Sequence, residues 1–150
     1  MAVEILIDAT EHVPNTENII RWADAALTEV TSAEVCIRVI DETEMTRLNG
    51  LFRGKHQPTN VLSFPAEVPK EVAPELLGDI AICASVVIAE AKQQQKSLDA
   101  HWAHMVIHGC LHLQGYDHVT DVDADNMERL ETQLLHSFGY ADPYTVNQAL

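Results

Sequence analysis

The sequence predicts a single α+β domain over residues 1–150, a mixed β-sheet packed with helices. Three observations carry this reading. Segments of strand-like alternation interleave with segments of helical period, in the order strand, helix, strand, helix, strand, strand, then three helices. At 150 residues and 47% hydrophobic content, the chain is long enough to bury a real core and ordinary for a globular protein. It contains no internal repeat, low-complexity tract or interdomain linker.

Val3 to Asp8 alternates as a first strand. Pro14, Asn15 and Thr16 supply turn and N-cap chemistry. Ile19, Trp22, Ala23, Ala26, Leu27 and Val30 then recur at helical spacing, which gives an amphipathic helix over about residues 16–30. Val35, Ile37 and Val39 on one parity, with Cys36, Arg38 and Ile40 on the other, make a second strand. Asp41 followed by Glu44 resembles a capping box opening a short helix with Met45 and Leu48, Gly50 standing near its end. Phe52 to Asn60 reads as a loop punctuated by Gly54 and Pro58. Val61 to Phe64 forms a third strand closed by Pro65, and residues 66–76 form an exposed loop. Ile80 to Cys83 makes a fourth strand buried on both faces. Ala84 to about Gln95 is helical, as its apolar first half and polar end indicate. Ser97 caps the next helix, with Asp99 in its first turn, where the helix dipole favours negative charge. Thr120 with Asp123 opens a last helix bearing Met127, Leu130, Leu134 and Phe138, ended by Gly139. Helices separate the first three strands, which permits parallel pairing among them.

No stretch approaches 18 apolar residues, and the N-terminus has no basic region before an apolar run, so neither a membrane span nor a signal peptide is expected. Cys36, Cys83 and Cys110 are odd in number and far apart, which fits reduced, buried thiols in a cytoplasmic protein. A formal charge of −14 argues against non-specific nucleic-acid binding, yet admits an RNA substrate held by a local cluster. The compact basic group is Arg53, Lys55 and His56. Asp121, Asp123, Asp125, Glu128 and Glu131 read as a solvated acidic helix face.

The chemistry concentrates in His108-Gly109-Cys110-Leu111-His112-Leu113-Gln114-Gly115-Tyr116-Asp117-His118. Histidines four apart lie on one helix face, with Cβ atoms roughly 5–6 Å apart. That lets both imidazoles reach one zinc ion at about 2.0–2.1 Å. Gly115 can take the left-handed conformation that ends a helix and turns the chain back, bringing His118 to the same ion. Three neutral imidazoles leave a fourth tetrahedral position open, as a catalytic zinc site does. The same spacing occurs in metzincin metalloproteases, except that their general-base glutamate is here Gly109.

Reach sorts the other histidines. His104 and His112 stand about 12 Å apart along a helix axis, too far to share an ion, and His101 is farther still. His101 and His104 are expected to be partly buried polar residues on a packed face, His104 being the one that could touch substrate or support a ligand. His12, His56 and His136 are read as surface residues, and Cys110 points away from the motif histidines. Asp117 can orient a ligand, cap the turn or face the attacking water. Arg53 offers a guanidinium that grips two phosphate oxygens and holds developing charge.

The eleven-residue motif closely resembles the signature of the bacterial YbeY family. Leu48 to Lys55, Pro58 to Pro65, Leu77 to Ile80, and His101-Trp102-Ala103-His104 are similar to further blocks of that family, so the likeness covers roughly residues 45–140. The resemblance implies a zincin-like fold with one zinc per chain, held by His108, His112 and His118. It implies a single-strand-specific, metal-dependent endoribonuclease of ribosomal RNA maturation, at the 3′ end of small-subunit RNA, with a role in ribosome quality control. Its partners would be ribosomal RNA and the pre-ribosomal small subunit, with a ribosomal protein or an assembly GTPase beside them. Arg53 and His108 match the family positions associated with activity, and Asp117 is the candidate to assist. Asn60 departs from the aspartate many members carry. A non-catalytic assembly factor with a structural zinc and a metalloprotease are the rival readings, the second disfavoured by Gly109.

Overall fold

Capping side chains fix where most of the helices begin. The computed structural model describes residues 3–28, 33–69 and 71–144. Its elements run β1 (Val3–Asp8), α1 (Thr16–Ala26), β2 (Glu34–Ile40), α2 (Glu42–Arg53), β3 (Val61–Pro65), β4 (Leu76–Cys83), α3 (Ala84–Gln93), α4 (Leu98–Leu113) and α5 (Asp121–Ser137). Asn15 accepts the Asn18 N–H at 2.9 Å and Asp41 that of Glu44 at 2.9 Å. Ser97 accepts the Ala100 N–H and Thr120 the Asp123 N–H, both at 3.1 Å. Each such cap is worth about 1 kcal/mol.

The sheet has the order β1-β2-β4-β3, with β1, β2 and β4 parallel and β3 antiparallel to β4 at one edge. The expectation of parallel pairing holds for β1 and β2 and fails for β3. No helix lies between β3 and β4, and a connection without a crossover helix returns the chain antiparallel. Gly78, at φ +138°, lets the strands approach, since a Cβ there would lie 2.1 Å from the Phe64 carbonyl oxygen.

One face of the sheet carries the main core. Val35, Ile37, Val39, Ile80 and Ile82 pack there against Ile19 and Trp22 of α1, Trp102, Val106 and Leu111 of α4, and Met127 and Leu135 of α5. On the other face α2 covers a smaller cluster of Ile40, Met45, Leu48, Leu62, Ala81 and Cys83. The last four residues of β4 are buried from both sides, as their unbroken apolar run predicts.

Three boundaries differ from the sequence reading. α1 stops at Ala26, because the Leu27 N–H closes onto the carbonyls of Ala23 and Asp24 and Leu27 leaves the helical conformation; Val30 lies outside the described residues. α2 passes through Gly50 and ends at Arg53, so Phe52 and Arg53 belong to a helix and not to the expected loop. The terminator is Gly54, left-handed at φ +70°, whose N–H bonds back to the carbonyls of Asn49 and Gly50. β4 starts at Leu76, earlier than the apolar run alone indicates. Among the described residues no helix is long and apolar enough to cross a membrane.

Candidate metal centre

The site is built on α4, which is buried along most of its length and lies close over the sheet. That closeness depends on Gly109: a Cβ there would come 2.9 Å from Ile80 Cγ2 and 3.0 Å from its Cδ1. The Ser63 hydroxyl of edge strand β3 donates to the Gly109 carbonyl at 3.3 Å, so α4 also runs beside that edge.

His108 and His112, one turn apart, have ring centres 5.8 Å apart. The helix ends at Leu113, and Gly115 turns the chain at φ +102°, with the Tyr116 N–H bonded to the Leu111 carbonyl at 3.2 Å. This return sets the His118 ring 5.7 Å from both others. The centre of a triangle with those sides is about 3.3 Å from each ring centre, close to what a ring nitrogen at about 2.0–2.1 Å from zinc requires. Burial, followed by the charges of His108 and His118, holds His112 below the usual histidine pKa. That favours the neutral imidazole that ligation needs. The three ring centres are thus spaced as rings around one ion would be, and each ring offers an imidazole nitrogen.

Behind His108 stands a carboxylate from α5. Glu131 is 1% exposed, with Oε2 2.6 Å from His108 Nδ1 and Oε1 3.0 Å from His104 Nε2. The Tyr144 hydroxyl also donates to Oε1 and lies 3.1 Å from His104 Nε2. Burial opposes ionisation of Glu131, but the hydrogen bonds from His104 and His108, with their charges, override it and hold the carboxyl down at about 2. An ionised carboxylate only accepts, so the Nδ1 of His108 carries the proton of that hydrogen bond and its Nε2 is left free of it.

His104, His108 and Glu131 also form a cluster with ligand atoms all within 4.8 Å of one another, a set that could hold an ion itself. Its atoms already sit at hydrogen-bond distances from one another, which fits a proton-bearing support better than an open ligand set. The sequence leaves His104 outside the ligand set with a supporting role open to it, and reads Glu131 as part of a solvated face. A signal was present, because Glu131 lies four residues from both Met127 and Leu135, on the buried stripe of α5.

Asp117 Oδ1 accepts the Val119 N–H at 3.1 Å, which is the turn-capping option of the three left open. His101 is buried with Nε2 2.9 Å from Glu90, and Asn60 Nδ2 donates to that carboxylate at 3.1 and 3.3 Å. An aspartate at 60 would instead set two carboxylates against each other. Cys110 is fully buried in the core, where burial pushes its thiol up to about 12, so it offers no thiolate. Cys36 is half-buried, not buried as expected. Arg53 is not among the histidines. It is exposed at the end of α2 and lines a separate cavity with Phe52, Leu62 and Phe64.

Comparison with known proteins agrees with this architecture. The solution structure of TM1509 from Thermotoga maritima superposes with a TM-score of 0.60 at 24% identity, covering 95% of this chain and 99% of that one, a likeness of fold. The family model described as Endoribonuclease YbeY matches residues 4–139. With nearly its whole length matched by that model, this chain belongs to the YbeY endoribonuclease family.

Proposed function

We propose that this protein is a single-strand-specific, zinc-dependent endoribonuclease that matures the 3′ end of small-subunit ribosomal RNA and serves ribosome quality control in the cytoplasm. The observation that carries the proposal is the triangle of His108, His112 and His118 rings at 5.7–5.8 Å, in a chain of an endoribonuclease family. Those three side chains would hold one zinc. Bound there, zinc supplies Lewis acidity toward a phosphoryl oxygen and lowers the pKa of a water to about 7.

The chain's own residues divide the rest of the work. Glu131 holds the proton on Nδ1 of His108 and fixes the ring. Arg53 is the cation for charge that grows on the phosphate, and in this fold it reaches the RNA from the α2 side of edge strand β3. Asp117 holds the turn that presents His118. The partners are ribosomal RNA and the pre-ribosomal small subunit, together with a ribosomal protein or an assembly GTPase that presents the strand.

The test is cleavage of a defined single-stranded RNA by highly purified wild type beside His108→Ala and Arg53→Ala, with zinc quantified in each preparation. One zinc per wild-type chain, and cleavage lost in both variants, is the expected result. Cleavage that ignores both substitutions would come from a contaminant and defeat the reading.

A further inference from the structure

The cavity that holds Arg53 has a feature the catalytic reading does not use. Its volume is about 800 Å³, and it lies on the half of the sheet's second face that α2 leaves open. The end of α2 forms one wall and the chain following β3, up to Val68, forms the other. Phe52, in the last turn of α2, is 64% exposed, an unusual position for so large an apolar side chain. It is also held in place: its ring meets Phe64 of β3 edge-to-face, with centres 4.9 Å apart.

The charges beside it are unevenly spent. Arg38, on the cavity floor, is tied to Glu44 at 3.8 Å, and Arg47 is bound to the same carboxylate at 2.7 Å. Arg53 makes no hydrogen bond or ion pair among the described residues. In a chain with 9 basic and 23 acidic residues, an uncommitted guanidinium next to a fixed, exposed aromatic ring is an uncommon pairing. Glu67 and Asp79, at the other side of the cavity, would repel a second phosphate.

We infer that Phe52 and Phe64 form a stacking platform for one unpaired nucleobase of the RNA, with Arg53 on the adjoining phosphate. The inference rests on the endoribonuclease reading and adds to it the subsite that selects single strands. A base is free to stack on Phe52 only when it is not paired, and stacking accepts any base because each has a π face. The platform lies across β3 from the histidines, since Ser63 faces α4 while Leu62 packs under α2. The stacked base therefore belongs to a nucleotide beside the scissile phosphate, the phosphate on which Arg53 acts.

The experiment measures binding of a single-stranded oligoribonucleotide carrying 2-aminopurine, in the presence of EDTA, so that binding is read without cleavage. Wild type should quench the 2-aminopurine fluorescence. Phe52→Ala and Phe52→Leu should bind about tenfold more weakly and lose the quenching, as expected for one lost stack. Phe52→Tyr should restore both. Circular dichroism melts of the same variants should match wild type, because the ring is exposed. Wild-type affinity and quenching in Phe52→Leu would overturn the platform and leave the exposed ring to a protein partner. If His108-dependent cleavage persists while the Phe52 variants bind normally, only the platform fails. If wild type neither binds nor cleaves single-stranded RNA, the endoribonuclease reading fails with it.

Discussion

Replacing Glu131 by glutamine removes a charge from the most heavily hydrogen-bonded carboxylate near the site. A carboxyl held at about 2 instead of 4.5 corresponds to about 3 kcal/mol, at roughly 1.4 kcal/mol per unit. Counting bonds gives the same order, because charge-assisted hydrogen bonds contribute about 1.5–3 kcal/mol each and His104 and His108 both donate here. The folded pKa lies below the unfolded one. The contribution is therefore complete above about pH 5 and is lost as pH falls through about 2. Metal-free Glu131→Gln should then unfold at about 1–3 M less urea than wild type at pH 7, given the usual urea dependence for small domains. The two should converge in acid. Zinc competition with a chelating dye should show affinity lower by about 10–100-fold, the usual cost of losing a carboxylate behind a ligating histidine. Equal urea midpoints at pH 7, together with equal zinc affinity, would refute the assignment of Glu131 as the support of His108.

Other perturbations give distinct outcomes. His112→Ala should abolish stoichiometric zinc, measured by atomic absorption, and remove the rise in melting temperature that zinc gives the wild type, since binding and folding are linked. Arg53→Ala should leave the melting temperature unchanged, because the side chain is exposed at a helix end, while single-strand cleavage falls sharply. Gly109→Ala gains about 1 kcal/mol of helix propensity but presses into Ile80. Overpacking at about 1–3 kcal/mol should dominate and lower the melting temperature by several degrees. Binding of single-stranded RNA should depend on salt only as strongly as about two or three phosphate contacts require, at about 0.7 per contact. A slope equivalent to six contacts would reveal a basic groove that this acidic chain does not display.

The elements were legible because their signals are local. Asn15, Asp41, Ser97 and Thr120 each mark a helix start with a side chain that bonds a backbone N–H three residues on. The return of His118 to His108 and His112 was readable because helix spacing and the Gly115 turn are also local geometry. Strand order was not, because pairing β4 between β2 and β3 depends on long-range contacts that no window of residues contains. The end of α2 was misread because glycine and proline outweighed the continuing period of Met45, Leu48 and Phe52, although helices tolerate a glycine such as Gly50 at modest cost. Glu131 was missed for a related reason. Five acidic residues in sequence look like a solvated face, and only the i, i+4 relation to Met127 and Leu135 marks one of them as buried.

Gly109 and Glu131 together separate this site from the proteases whose histidine spacing it shares. Those enzymes carry their base on the histidine helix, directly after the first ligand. Here that position is pressed against Ile80, so a side chain beyond hydrogen would crowd the sheet. The carboxylate near the histidines instead comes from α5 and meets the Nδ1 side of His108, where it is buried. A group in that place can fix a ring and its tautomer, but it cannot take a proton from a water on the far side of the imidazole. Peptide hydrolysis, which must activate water and then protonate a poor amine leaving group, receives no proton carrier from Glu131. Phosphodiester cleavage asks less of the protein, because an RNA strand brings its own 2′-hydroxyl and an oxygen leaving group. The chain then needs only to hold the phosphate, stabilise its charge and keep the neighbouring base unpaired.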